Sequence, residues 1–582
     1  DNSLKNLLFD VYKHLKKDKA KESQIMLQIL DSNGKKKYIN IIYQVIEDSK
    51  KLNKQLFLNN DLYRESGAKL YRNLKHNLFR NVNLVCQNDD ILLLLLEGFL
   101  LSMYEFTKYK TSKLPEFKDQ LINQKLISDK KQKYLVENNK SNSNNSNNND
   151  NNDNNLNNQL GGAQKKSKNT KKSKKVKKII GTKNTKNTKN SKNIKTSTLT
   201  KKKNKNIKNK DVNKHNNYFL NIISQSAFNR KNNNNHKKIN GNDDDLHNKI
   251  KELLITIRSI YLCRDLVNEP SNVLTPRSFI NFALSFIKKH KLPIRTRVLK
   301  PDELKKKKFN LMLSVGQGSA PDKQTHLLIL EYKGNSENKI NRPLLMIGKG
   351  VTHDTGGFSI KGSRSMSEMK TDMAGGAIVL ATMLAHAQLK NKNKLICMIP
   401  LAENSLSEKA TVPGQVIKSY GGITVEVTNT DAEGRLLMAD CLAYASRKFP
   451  KYQLLDIATL TGEQFRFSCQ KFSSAVQINS FNFTNKLIKA GEKVGERIIP
   501  LPYINEFSKE IKSDIADVKN VSTSCKASLY PSSTFLSKFI QEDSKWIHID
   551  IGGNEYKLKS KYDYKNQEAS GLGVKLLLSV LD

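Results

Sequence analysis

Acidic residues are missing altogether between Gly161 and Lys210, a stretch that holds 20 lysines. The whole chain has a formal net charge of +45, so nearly half of the excess sits there. A charge of this size ordinarily points to nucleic acid, an anionic surface or an acidic partner. Concentrated in one segment, it says little about the folded body. Cysteine is also scarce. The six cysteines, Cys86, Cys263, Cys397, Cys441, Cys469 and Cys525, form no CxxC pair and none stands at zinc-finger spacing from a histidine. Neither a paired redox motif nor a zinc finger is indicated, and buried or free thiols in a reducing compartment are expected. Long apolar runs are lacking too. The most apolar stretch, Ile91–Leu101, contains Glu97 and is too short to cross a bilayer. The segment DNSLKNLLFDVYKHLKKDK has no secretion-signal core. Nucleotide loops are absent: GKG at 348–350 lacks the spacing of a phosphate loop, and GQGSAP (Gly316–Pro321) is too short for a dinucleotide fingerprint. A cytoplasmic protein without a membrane partner is the expectation.

What is present falls into zones. Residues 1–135 have ordinary globular composition, with helical periodicity in Leu4–Leu15 and Leu62–Leu74 and a short strand-like run at Val82–Cys86. Residues 136–245 are an Asn- and Lys-rich low-complexity insertion, including SNSNNSNNNDNNDNNLNNQ and TKNTKNTKNSKN. Such composition buries too little apolar surface to offset chain entropy, so disorder is expected. A connecting segment, 246–275, leads into a larger domain, 276–582. There strands expected at Leu344–Ile347, Leu395–Pro400, Leu454–Ala458 and Trp546–Ile551 alternate with helices at Met373–Leu389 and Gly434–Phe449. This alternation predicts an α/β fold whose largely parallel sheet is covered by helices, with ligands bound beyond the carboxyl ends of the strands.

Two polar clusters fall at such ends. GKGVTHDTGGFSIKGSRSMSEMKTDMAGGA (Gly348–Ala377) offers Lys349, Asp354, Lys361 and Asp372. TNTDAEGRLLMAD (Thr428–Asp440) offers Asp431, Glu433 and Arg435. Four carboxylates gathered in one place repel unless cations neutralise them. A pair of divalent ions about 3.5 Å apart meets that need and suits hydrolysis. Oxygen ligands with one amine fit Zn, Mn, Mg or Co. The residues alone leave a second reading open, in which NTDAEGR is a turn followed by a helix whose acidic first turn complements the macrodipole.

The two clusters closely resemble the signature of the leucyl (cytosol) aminopeptidase family, with NTDAEGR unaltered. EGFLLSMYEFTKYKT (Glu97–Thr111), RDLVNEPSNVLTP (Arg264–Pro276), SVGQGS, PLAENSLSEKATVPGQVI, DIATLTG and WIHIDIGG match it in the same order. The resemblance implies a smaller N-terminal α/β domain and a larger catalytic one. It implies that Lys349, Asp354, Asp372 and Glu433 hold a tighter metal ion, and Asp354, Asp431 and Glu433 a more exchangeable one. Zn or Mn is the implied pair. Lys361 corresponds to the lysine that polarises the scissile carbonyl, and Arg435 to the arginine holding a bicarbonate general base. Met369 and Thr459 correspond to walls of the first side-chain pocket, and Leu460 and Gly462 to the backbone that aligns the peptide. The implied reaction is removal of a Leu-like N-terminal residue by water activated between the metals. The implied assembly is a homohexamer.

Two departures stand out. His353 precedes Asp354 where the family usually has an aromatic such as Phe; it either fills the same space or adds a donor or metal contact. Thr355 for the usual Ser is conservative. The basic insertion, residues 164–210 above all, allows non-specific nucleic-acid contact through phosphates, but without interleaved aromatics it offers no base stacking.

Overall fold

The computed structural model describes residues 56–77, 81–86, 89–109, 242–335 and 343–582 apart from 523, 526 and 566, together with strands at 22–30, 36–44, 127–128, 134–135 and 219–224. The expected helix Leu4–Leu15, the lysine-rich stretch 164–210 and most of the low-complexity insertion lie outside the described residues. By its contacts the chain divides into one unit of residues 1–136 and 216–582 and another of 137–215.

The N-terminal part supplies an antiparallel pair, β1 (Glu22–Leu30) and β2 (Lys36–Gln44). Helix α1 (Leu56–Asn77) follows, then β3 (Asn81–Cys86) and α2 (Asp89–Ser102). Two short strands, β4 (Ile127–Ser128) and β5 (Tyr134–Leu135), pair with each other. Strand β6 (Phe219–Ser224) pairs in parallel with β3. It falls inside the stretch expected to be disordered. FLNIIS is a local apolar run unlike the Asn and Lys tracts around it, so it has surface worth burying. Helix α3 (Asn242–Asn268) runs across the expected boundary at 246 and brings the chain to the larger domain.

Helix α4 (Pro276–Lys289) opens that domain. Thr275 caps it, its hydroxyl accepting from the Ser278 amide while the Ser278 hydroxyl accepts from Thr275, and Pro276 fills a first-turn position where no amide is needed. Strand β7 (Ile294–Leu299), α5 (Pro301–Lys306), α6 (Asn310–Gly316) and β8 (His326–Tyr332) follow. Next come β9 (Leu344–Gly348), β10 (Gly350–Asp354), α7 (Ser363–Met366), a 3-10 turn at Met369–Thr371, α8 (Ala374–Gln388) and β11 (Leu395–Asn404). Strands β12 (Gln415–Lys418) and β13 (Thr424–Val427) lead to α9 (Glu433–Lys448), β14 (Gln453–Ala458) and α10 (Gly462–Ser468). The chain ends through β15 (Ser473–Ile478), α11 (Phe481–Val494), β16 (Ile498–Leu501), β17 (Val518–Lys519), α12 (Leu529–Ser537), β18 (Lys545–Asp550) and α13 (Val574–Leu581).

The main sheet runs β16–β15–β18–β14–β9–β11–β8–β7, with β10 also paired to β11. Its centre, β18 to β11, is parallel, and antiparallel pairings occur at β15/β18, β11/β8 and β8/β7. The expected α/β class, with a mixed and largely parallel sheet, is what forms. Both faces are apolar, which is why the central strands read as unbroken hydrophobic runs. Leu344, Met346, Cys397, Ile399, Leu455 and Ile457 pack on one face with α3, α8 and α13. Leu345, Ile347, Ile396, Met398 and Trp546 pack on the other with α6, α9 and α12. The strand and helix expectations within the larger domain fall on β9, α8, β11, α9, β14 and β18.

Candidate metal and peptide site

β9 and β10 both lie along β11 and are separated only by Lys349. At this break the Lys349 amide donates to the Ile457 carbonyl (3.1 Å), and its own carbonyl accepts from Gly376 (2.7 Å). The side chain is thus launched at the carboxyl ends of β9 and β14. Asp354 ends β10, Asp372 follows the 3-10 turn, and Asp431 and Glu433 stand at the start of α9. Oxygen atoms of Asp354, Asp431 and Glu433 all lie within 4.8 Å of one another. Asp372 joins through Lys349, whose Nζ is 2.7 Å from Asp372 Oδ1 and 3.0 Å from Glu433 Oε1. Lys361 Nζ is 2.8 Å from Asp354 Oδ2 and 2.5 Å from Asp431 Oδ1. Every residue expected to ligate or to polarise therefore meets in one small volume.

Burial is uneven. The side chains of Lys349, Asp354 and Glu433 are under 5% exposed, whereas Asp431 is 34% exposed. Asp431 therefore marks the solvent side of the cluster. Burial and the neighbouring Glu433 hold the Asp354 carboxyl well above the ordinary carboxylate range. Burial likewise raises Asp372 and Asp431. Burial opposes the charge of Glu433 as well, but Lys349 and Lys361 outweigh it and the carboxyl titrates low. Both lysines are disfavoured as ions by burial, yet the surrounding carboxylates overcome this and raise them. In the metal-free protein Lys349 is thus an ammonium ion, and it must lose a proton to act as an amine ligand.

The residues present fit a cation pair. Asp372 Oδ2 is buried without a hydrogen-bond partner. Asp354 Oδ1 is held by Asn404 Nδ2 (2.8 Å) and the Gly356 amide (2.9 Å), which fixes the orientation of the carboxylate. Arg435 is fully buried. One of its amino groups donates to the Asn520 carbonyl (2.7 Å), Nε has no partner, and burial brings its pKa down to about 10. A buried guanidinium with an unused donor suits a small anion.

The expected peptide-binding residues lie alongside. Met369 sits on the 3-10 turn leading to Asp372. The Thr459 hydroxyl donates to Asp372 Oδ1 (2.8 Å), and its carbonyl accepts from Lys349 Nζ (2.9 Å). The Leu460 amide reaches Asp550 Oδ1 (3.2 Å), and Gly462 opens α10 in an exposed position. Thr355 donates its hydroxyl to the Asn404 carbonyl (2.8 Å), a contact that needs only an OH. His353 is half-buried with Nδ1 unpartnered. Burial lowers its pKa, and the charges acting on it are Glu403 and Lys323, which lie outside the cluster.

Three positioning residues were not singled out from the sequence. Asn404 ends β11. Asp550 ends β18 and holds Leu460 and Thr461. Asn520 accepts from the Thr428 amide (2.9 Å) and donates to the Asn429 carbonyl (2.6 Å). The motif WIHIDIGG contained Asp550 without assigning it a part. Asn520 carries no local signal, because its partners stand some ninety positions away.

Residues 261–578 match the model of the cytosol aminopeptidase family, catalytic domain. A protein named "Probable cytosol aminopeptidase" from Geobacter sp. (strain M21) is 40% identical over 324 residues, covering 56% of this chain and 64% of that protein. One of the same name from Corynebacterium glutamicum is 38% identical over 330 residues, covering 57% and 64%. The matched region thus spans under two thirds of these relatives' length. Leucyl aminopeptidase from Trypanosoma cruzi superposes with a TM-score of 0.52 at 30% identity, covering 57% of this chain and 63% of that one. The bottromycin maturation enzyme BotP, solved with Mn, superposes with a TM-score of 0.64 over 96% of this chain and 92% of its own; at 19% identity it shares the fold.

Proposed function

Because this chain belongs to the cytosol aminopeptidase family, we propose that it is a metal-dependent aminopeptidase that removes the N-terminal residue of peptides. The observation that carries this reading is the convergence of Asp354, Asp372, Asp431 and Glu433 around the ammonium groups of Lys349 and Lys361. Lys349, Asp354, Asp372 and Glu433 would hold one divalent ion, and Asp354, Asp431 and Glu433 a second, Zn or Mn being the preferred pair. When bound, such ions supply Lewis acidity and lower the pKa of water.

The chain's own groups do the rest. Lys361 presents an ammonium group at the edge of the carboxylate cluster, where it donates to the scissile carbonyl oxygen as negative charge develops. Arg435, buried with a free Nε, would hold bicarbonate, which supplies a general base. The loop Thr459–Gly462 aligns the peptide backbone, and its anchor on Asp550 keeps that alignment fixed. Met369 and Thr459 by themselves suit a Leu-like side chain. Assembly as a homohexamer belongs to the same proposal, and sedimentation velocity that finds only an active monomer would contradict it.

The test is hydrolysis of leucine p-nitroanilide by the full chain, with chelator and after reloading with Mn or Zn. Turnover that disappears with chelator and returns with metal is expected. Absent turnover, or turnover indifferent to chelator, overturns the proposal.

A further inference from the structure

We propose that Glu555 sets the choice of N-terminal residue, favouring long side chains with a terminal positive charge, lysine and arginine, over uncharged chains of equal length. This rests on the aminopeptidase reading and names the substrate class of the same site.

Beyond Asp550 the chain turns through Gly552 and Gly553, and residues 555–557 then run beside 368–371. Three contacts fix the alignment. Lys557 Nζ is 2.8 Å from Glu368 Oε1, the Lys370 ammonium lies 5.7 Å from the centre of the Tyr556 ring, and the Thr371 hydroxyl is 3.5 Å from Glu555 Oε1. The Glu555 carboxyl therefore lies against the turn that carries Met369 and ends at Asp372. It also interacts electrostatically with Asp550, the anchor of Leu460 and Thr461, and with Lys349. These two elements meet where Thr459 bonds to Asp372. Glu555 thus stands where the two walls assigned to the first side-chain pocket come together.

Glu555 Oε2 is buried without a hydrogen-bond partner, and among the described residues no lysine or arginine forms an ion pair with it. The two lysines in the aligned segments are engaged elsewhere, Lys370 with the Asn268 carbonyl (2.7 Å) and Lys557 with Glu368. Burial raises the carboxyl to a pKa of about 7. A buried acid in this state is stabilised by any cation delivered to it. Lysine and arginine side chains carry an aliphatic stem that packs as leucine does, with a charged end. Their stems suit Met369 and their charge completes Glu555. Norleucine offers a comparable stem and no charge, so it isolates the effect.

The experiment measures kcat/KM of the metal-loaded full chain on lysine, arginine, norleucine and leucine p-nitroanilides, for the wild type and E555Q. The expected lysine-to-norleucine ratio is on the order of tenfold or more in the wild type, falling toward one in E555Q. A residue that only braced the 3-10 turn would shift all substrates together and leave the ratio unchanged. That outcome, or a wild-type ratio of one or below, overturns the inference. Leucine turnover with a flat ratio sinks this inference alone; no turnover on any substrate with any metal sinks the aminopeptidase reading and this with it. Should E555Q fail to fold, competition of lysinamide and norleucinamide against leucine hydrolysis by the wild type decides, equal inhibition counting against Glu555.

Discussion

Lys349 reaches the carboxylate cluster only because residue 434 has no side chain. A Cβ at Gly434 would stand 2.4 Å from Lys349 Cε and 2.7 Å from Nζ, closer than real carbon contacts allow. Gly434→Ala is therefore expected to displace Lys349 and weaken uptake of the tighter ion while leaving the fold in place; unaltered metal affinity by calorimetry would contradict the geometry. Lys361→Ala removes the only ammonium group at the solvent side of the described cluster. Loss of one charge-stabilising donor costs roughly a hundred- to a thousandfold in kcat, and full activity in the variant would refute the assigned part. Titration follows with a definite sign. Asp354, Asp372 and Asp431 hold protons to higher pH than ordinary carboxyls, and Lys349 holds its proton more tightly than usual. Ion uptake must expel these protons, so affinity should rise with pH from above the ordinary carboxylate range and fall on acidification. A metal affinity independent of pH between 5 and 8, roughly the span over which raised carboxyls titrate, would oppose this.

At the scale of elements, most of the site was readable because it lies in two short segments. Lys349, Asp354, Lys361 and Asp372 follow one strand, and Asp431, Glu433 and Arg435 open one helix. Strand ends and helix starts are local features, and both announced themselves through glycine and the switch in hydrophobic period. The clamps that orient these segments were not readable. Asn404, Asn520 and Asp550 are ordinary polar residues at the ends of strands or in loops, and their importance comes from contacts across fifty to ninety positions. Glu555 was hidden in the same way. Asn520 is the sharpest case. It is fully buried and binds Thr428, Asn429, Ala432 and Arg435. Asn520→Ala leaves the half-buried amides at 428 and 429 without their side-chain acceptor, an expected loss of about 1–3 kcal/mol. Denaturant unfolding checks the loss, and an unchanged midpoint would count against it.

At the scale of the whole molecule, the α/β class was legible because central strands buried on both faces must be apolar throughout. The joining of the smaller N-terminal helices to the catalytic body was only partly so, since beside the apolar packing of Leu92, Leu96 and Phe99 it uses buried charge. Glu97 of α2 is buried between Arg64 (3.0 Å) and Lys575 of α13, and Asp61 of α1 receives Lys565 (3.2 Å) and the Tyr564 hydroxyl (2.6 Å). In the sequence Glu97 looked like an interruption of an apolar run; in the fold it is the counter-charge for two buried cations. Glu97→Ala takes the carboxylate from Lys575 and leaves Arg64 with Asp61, and should cost about 3–5 kcal/mol, read as a lowered unfolding midpoint. A neutral effect would show that the helices are held by apolar packing alone.

The central claim is that five side chains from two distant segments hold two divalent ions. The most direct measurement is metal content per chain after loading with Mn or Zn and removal of excess, for the wild type and Asp354→Asn. Two ions per wild-type chain and a loss of tightly held metal in the variant are predicted. A wild type that retains no ion, or a variant that retains both, would contradict the account.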